Sequence, residues 1–458
     1  MRLILHNKHV KVDETANDYS REALPIKKLK SYLAVKLENA HRSEKYVSGK
    51  WDGRIRFFNS RNNTFPLGLI EDVLNYLHEY DIELVDARVN KFKFDRKATG
   101  KLRDNQEKCV KKCINNKLLR LPFYNGIING ATNYGKTYIM DELYKRSGKV
   151  NTLILIHNID LFNSLSAHFI NNKYALSQID KDNFSFGGLT IAMYKTLLNK
   201  VKRSVNVKRK LAEFNMLFVD ECHRAGAKDY QKLLRHIPAY ANYFFSGTAL
   251  QRKNAVENLR IVGASGKIIF KIKNKDLIDQ GYSNKPIVYI YKNLELNFSR
   301  SYQYKLKHCI YESPYRLAVI KDYCNFHSKV LIAVRKKKHG DFLCENLEDA
   351  KTLYSDTEGR ADVIDQFKNG KFKVIITTIM REGLNIKGID CLIHAQGGKS
   401  IIELLQLTGR ALRKSDAGSF TMVDFNDVAE PFDEHSTTRM KLWESEGFEI
   451  KKGLTPEV

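Results

Sequence analysis

At 458 residues, with 43% hydrophobic and 28% charged side chains, the chain can pack two or three domain cores and is too apolar to stay disordered. Its formal net charge of +25 suits a partner that is a polyanion, nucleic acid being the commonest, though a generally basic enzyme would share that charge. Seven scattered cysteines show no C-x-x-C or zinc-finger spacing, and no stretch is apolar enough for a signal peptide or membrane span; a reduced, cytoplasmic protein away from any membrane is expected.

Residues 1–98 mix short apolar runs, alternation and a helical pattern, predicting a small α+β domain. Within it "GKWDGRIRFFN" reads as a hairpin turning at Asp52-Gly53, with Lys50, Arg54 and Arg56 on one side and Ile55 and Phe57 toward the core. Basic groups beside Trp51 could grip phosphates and stack on bases, or simply coat a half-buried hairpin whose tryptophan is core. A polar link, "DRKATGKLRDNQ", then opens a different style. From there apolar runs at 125–129, 151–156, 216–220, 242–247, 329–334, 372–378 and 391–395 alternate with helical patterns. Continuous apolar strands between helices mean parallel sheets covered on both faces, and there are too many for one compact sheet. The fold class is α/β, with two tandem sheet domains, 99–284 and 285–458, after the α+β unit. No internal repeat is visible. Cys109 and Cys113 could share a helical face as ordinary helix residues.

"NGATNYGKT" (129–137) contains G-x-x-x-x-G-K-T between a strand and a helix. Gly130, Ala131, Thr132, Asn133, Tyr134 and Gly135 form a loop whose backbone N–H groups can curl around phosphate oxygens at the helix's positive end. Lys136 should reach the β/γ-phosphates and Thr137 should ligate Mg²⁺, making Mg²⁺-ATP the expected cofactor. The basic stretch 199–213 is a solvated surface or a nucleic-acid contact. In "MLFVDECH" a buried strand ends in two acids, at the edge where open α/β sheets bind ligands; Asp220 is assigned to Mg²⁺, partly through water, and Glu221 to the attacking water. In "QLTGRALRK", steps of four and three put Gln406, Arg410 and Arg413 on one helix face, suited to a developing phosphoryl charge. Lying in the second sheet domain, they imply a nucleotide held between domains.

The order of these motifs resembles that of the superfamily two helicases and translocases, with two RecA-like domains, over roughly residues 100–430. The resemblance implies that Gln106, in "LRDNQ", reads adenine, that "SGTA" (Ser246, Gly247, Thr248) couples the sites, and that His223 relays nucleotide state toward Gln406 and that coupling segment. It matches "TTIMREGLNI", with Gly383 at the nucleotide, although Asn385 stands where Asp is frequent. It also implies a nucleic-acid groove containing Asn158, Lys195, Arg335, Thr377, Thr378 and Arg381. The stretch 47–77 resembles the N-terminal domain of the bacteriophage branch-migration helicases of the UvsW type, which carry a similar W-D-G-[KR]-I-R-L run. That resemblance implies a monomeric, ATP-dependent motor on branched DNA, working in phage replication, recombination or repair. The alternatives are an RNA helicase with the same motor, or a nucleic-acid binder that uses ATP only as a switch.

Overall fold

The computed structural model describes residues 1–13, 24–97, 100, 102–131, 134–251, 254–293, 301–378, 388–398, 419–428 and 430–453. The chain divides into two compact units, Met1–Gly130 with Gly135–Lys271, and Ala131–Tyr134 with Ile272–Val458.

The first unit begins with β1 (Arg2–Leu5), β2 (His9–Asp13), β3 (Ala34–Lys36), β4 (Arg54–Arg56), β5 (Thr64–Pro66) and β6 (Glu83–Asp86). Four of these make a mixed sheet in the order β5-β2-β1-β6. Alternation decides its faces: Leu3, Leu5, Val10 and Val12 are buried while their neighbours are not. The expected hairpin at Asp52-Gly53 is corrected. The chain does turn there, with Gly53 at φ 74° and Asp52 Oδ1 accepting from the Arg54 N–H at 3.1 Å. However, Glu44–Val47 is a short helix, so β4 pairs instead with β3, Val35 opposite Ile55. Arg54 and Arg56 are exposed and Ile55 is half-buried, so the expected alternation survives the change of partner.

A two-stranded ribbon, β7 (Lys117–Leu118) and β8 (Leu121–Pro122), precedes the main sheet of β9 (Asn125–Gly130), β10 (Thr152–Ile156), β11 (Leu176–Ile179), β12 (Leu189–Met193), β13 (Met216–Val219), β14 (Ala241–Ser246) and β15 (Ile268–Ile272). Its order is β11-β12-β10-β13-β14-β9-β15. The apolar runs of β9, β10, β13 and β14 are buried along their whole length, as expected of parallel strands covered on both faces. The mixed sheet is fastened to this one. A Cβ on Gly68 would fall 1.9 Å from the Val262 carbonyl, so only glycine permits that approach to the helix Ala255–Ser265. Asn7 Nδ2 donates to the Pro238 carbonyl at 2.8 Å, and Lys267 pairs with Asp72 at 2.7 Å.

The second unit is built on β16 (Lys285–Asn293), β17 (Val330–Ala333), β18 (Ala350–Leu353), β19 (Val374–Thr377), β20 (Cys391–His394), β21 (Ser419–Asp427) and β22 (Glu449–Lys452), ordered β18-β19-β17-β20-β21-β16-β22. The fold is therefore α/β, with two seven-stranded parallel sheets and an N-terminal mixed sheet. Taken in chain order, both large sheets run third, fourth, second, fifth, sixth, first, seventh. The sequence shows no repeat, yet the two topologies coincide. Cys109 and Cys113, a helical turn apart on Asp104–Asn115, are both buried, and burial pushes the Cys113 thiol well up. No helix among the described residues is long and apolar enough to cross a membrane.

Candidate nucleotide site

Strand order assembles the site. β13, β14 and β9 are consecutive in the first sheet, with Phe218 opposite Tyr243 and Ser246 opposite Asn129. The segments leaving their carboxyl ends are "DECH", "SGTA" and the phosphate loop, so motifs nearly a hundred residues apart emerge side by side. Gly135 caps the helix Lys136–Arg146 in the left-handed region, φ 84°. A side chain there would come within 2.3 Å of Gln106 Nε2.

Lys136 Nζ stands 3.4 Å from Asp220 Oδ1 and 3.6 Å from Glu221 Oε1. Burial works against its charge, but the two carboxylates outweigh burial and hold the amine above its usual range. Burial likewise opposes ionisation of Glu221, and Lys136 and His223 override it, so the carboxyl sits well below the ordinary range. Glu221 adopts φ 48°, a left-handed conformation uncommon for a residue with a side chain, and its N–H donates to Asp220 Oδ1 at 2.9 Å. His223 Nδ1 lies 3.2 Å from Glu221 Oε2 and 3.2 Å from Ser246 Oγ. Ser246 Oγ in turn accepts from the Thr248 N–H at 3.1 Å. The Thr248 hydroxyl is buried with no hydrogen-bond partner among the described residues. The structure thus brings Lys136, Asp220, Glu221, His223, Ser246 and Thr248 into one connected group.

Gln106 is placed differently from an exposed reader of a base. It is buried, its Oε1 accepts from the Arg103 N–H at 3.0 Å, and its amide nitrogen lies against Gly135. Gly135→Ala must therefore disturb the loop. It costs about 1–2 kcal/mol for the left-handed backbone alone, before the contact with Gln106 is relieved. We expect the affinity for a fluorescent ATP analogue, followed by titration, to fall by about tenfold or more. Unchanged affinity would contradict this geometry.

The residues expected in the nucleic-acid groove divide. Lys50, Arg54, Lys195 and Arg335 are exposed, Lys195 in the first turn of the helix Tyr194–Arg203. Arg56 is exposed but paired with Asp52, and Trp51 Nε1 donates to the Arg54 carbonyl at 2.9 Å. Asn158 is the N-cap of Ile159–Asn171, its Oδ1 accepting from the Asp160 N–H at 2.7 Å and the Leu161 N–H at 3.3 Å. Thr377 is buried and its hydroxyl donates to the Leu353 carbonyl at 2.7 Å, so that side chain is committed inside the sheet; Thr378, next along, is half-buried. Thr132, Asn133, Arg381, Gly383, Gln406, Arg410 and Arg413 lie outside the described residues.

Sequence reading missed a buried cluster in the second unit. Asp424 accepts from Arg439 Nε at 3.0 Å and from Trp443 Nε1 at 3.0 Å, and His394 Nδ1 lies 3.2 Å away. Burial opposes its ionisation, but Arg439 and His394 hold the carboxyl far below the usual range. Arg439 also donates to the Gly398 carbonyl at 3.0 Å, just ahead of the segment containing "QLTGRALRK". The signal available was an aspartate inside an otherwise apolar strand run, "FTMVDF".

Comparison with known proteins agrees with the motif order. Residues 99–251 match the type III restriction enzyme res subunit and residues 315–415 the helicase conserved C-terminal domain. The chain belongs to the ATP-dependent helicases of superfamily two. Its N-terminal part, residues 13–86, matches the N-terminal domain of the DNA helicase UvsW, so within that class it is of the UvsW type. It is 19% identical to the ATP-dependent DNA helicase uvsW of Enterobacteria phage T4, over 94% of this chain and 91% of that protein. A protein named as helicase 22 of Sulfolobus islandicus filamentous virus is 27% identical over 64% of this chain, and the chain spans 58% of that protein's length. Among solved structures, Saccharomyces cerevisiae Dbp5 bound to RNA and ADP BeF3 shares the fold, with TM-score 0.53 and 15% identity over 78% of this chain and 91% of that one.

Proposed function

We propose that this chain hydrolyses Mg²⁺-ATP to move on DNA, and that its substrate is branched DNA, remodelled by fork regression or branch migration. The observation that carries the reading is the linked group Lys136–Asp220–Glu221–His223–Ser246 at one sheet edge. Lys136 exchanges its carboxylate partners for the β/γ-phosphates, and Glu221, ionised at neutral pH, orients and deprotonates the attacking water. Thr137 and Asp220 supply the hard oxygen donors that suit Mg²⁺, and the ion, when bound, neutralises charge developing on the phosphates. No cluster of three or more His, Cys, Asp or Glu side chains fit for a metal occurs among the described residues, in keeping with an ion held mainly by one carboxylate, a hydroxyl and the nucleotide. His223 touches both the hydrolytic carboxylate and Ser246, so a change at Glu221 is felt at "SGTA" without an intermediary. Gln406, Arg410 and Arg413 complete the proposal as groups that sense or stabilise the phosphoryl charge, and Gln106 as a support of the loop that sits beneath the base.

The support for DNA is the net charge of +25, the UvsW-type N-terminal match and the phage relative's printed activity. The test is an ATPase assay with single-stranded DNA, duplex DNA, a synthetic four-way junction and structured RNA as cofactors in turn. The expected result is strongest stimulation by the junction. Strongest stimulation by RNA would keep the motor and replace its substrate.

A further inference from the structure

Two adjoining hollows of about 760 and 560 Å³ open where the N-terminal mixed sheet meets the first large sheet's helices. Both are walled by Lys8, His9 and Thr64 on one side and Arg235 on the other. Lys11 and Arg61 line the first, Arg56 and Arg260 the second. No carboxylate is among the lining residues. Lys8, Lys11, Arg61 and Arg235 form no ion pair among the described residues. Lys8 Nζ has a neutral partner, Asn242 Oδ1 at 3.2 Å, and burial pushes its amine down to about 7. Four unpaired cations converging on one cleft repel one another, a cost that a polyanion removes.

The charge does not stop at the rim. His236 is depressed by burial and by the charges of Lys208 and Arg235, which places it between them. Lys208 belongs to the helix Val205–Ala212, whose exposed Lys208, Arg209 and Lys210 come from the basic stretch 199–213 that the nucleotide site leaves unused. The cleft and that helix make one continuous basic track. Its walls are fixed relative to each other by the Gly68–Val262 approach and the Asn7–Pro238 hydrogen bond. Binders of single strands add exposed rings on which bases stack. Here Phe58 and Phe65 are buried and Phe57 packs against the core. What remains exposed is lysine, arginine and asparagine, the groups that bond phosphate oxygens without reading sequence.

We propose that this track holds the sugar–phosphate backbone of a duplex DNA arm, a second contact separate from the nucleotide site; it rests on the reading of the chain as a DNA motor. The contact is independent of sequence and of nucleotide, and it keeps one arm of a branched substrate on the N-terminal side of the first sheet.

The test uses the full chain and a triple variant, Lys11→Ala/Arg61→Ala/Arg235→Ala, all three side chains being exposed. Binding of a short fluorescein-labelled duplex is followed by anisotropy across a salt series, with the matching single strand alongside and ATPase without DNA as the control of folding. Three lost phosphate contacts should lower the slope of log K against log salt by about 2.7 and weaken duplex binding by at least about tenfold at moderate salt, with basal ATPase unchanged. Unchanged duplex affinity and slope would overturn the track while leaving the motor intact. A loss confined to the single strand would overturn the assignment to duplex. If the unaltered chain turns over ATP yet binds no DNA, the DNA-motor reading falls and the track with it.

Discussion

Glu221→Gln is expected to bind ATP and fail to hydrolyse it, with turnover down by about 10²–10⁴-fold and affinity for a fluorescent ATP analogue within about twofold of the parent. The substitution keeps the shape and removes the charge. An amide can still bond His223, but it cannot take a proton from water, and it no longer shares Lys136 with Asp220. Releasing Lys136 from one of its two carboxylates leaves that amine more available to phosphate, so affinity should not suffer. Lys136→Ala provides the contrast. It removes the phosphate ligand and leaves two adjacent acids, both buried or nearly so, without their common counter-charge, so affinity and turnover should fall together. Steady-state ATPase and analogue titration on both variants separate the two roles. Parental turnover in Glu221→Gln would remove that residue from the chemistry.

The second large effect concerns stability. Asp424→Ala is expected to destabilise the second unit by about 3–5 kcal/mol, because Arg439 would remain buried with its charge uncompensated and Trp443 Nε1 would lose its acceptor. Trp443 is buried in the cluster itself, so a guanidinium titration followed by its fluorescence reports on the event directly. The carboxyl is depressed in the folded protein, so its contribution is fully present above the unfolded value of about 3.9 and is lost as pH falls through the folded value. The parent should therefore lose stability in acid, and the variant should lose less over the same range. A variant unfolding at the parental midpoint would show that Arg439 finds other partners.

The seven strands read from the sequence are found because each is a short apolar run buried on both faces. Edge strands escaped for the opposite reason: β11 and β15 are only partly buried and carry polar residues within the run. The Asp52-Gly53 signal fixed where the chain turns, but a turn does not say which strand accepts the ladder, and β3 took it. At the site, the phosphate loop is legible because its chemistry is contiguous in sequence. His223 and Ser246 meet only because β13 and β14 are neighbours, which spacing alone cannot reveal. Asn158 and Thr377 have the polar chemistry of groove residues and spend it on a helix cap and a strand carbonyl. Composition cannot tell a hydroxyl or amide that faces a ligand from one that satisfies the backbone.

The shared order of the two large sheets bears on descent and on stoichiometry. Matching seven-strand topologies in one chain are the trace of an ancestral half copied end to end, its side chains since diverged beyond recognition while its connections held. In the first copy the leading strand, β9, runs on into "ATNYGKT". In the second the equivalent strand, β16, runs on into "LELNFSR", which has neither the glycines nor the lysine-threonine pair. One copy kept the phosphate loop and the other was released from it, so a chain with two nucleotide-binding frames takes up a single nucleotide.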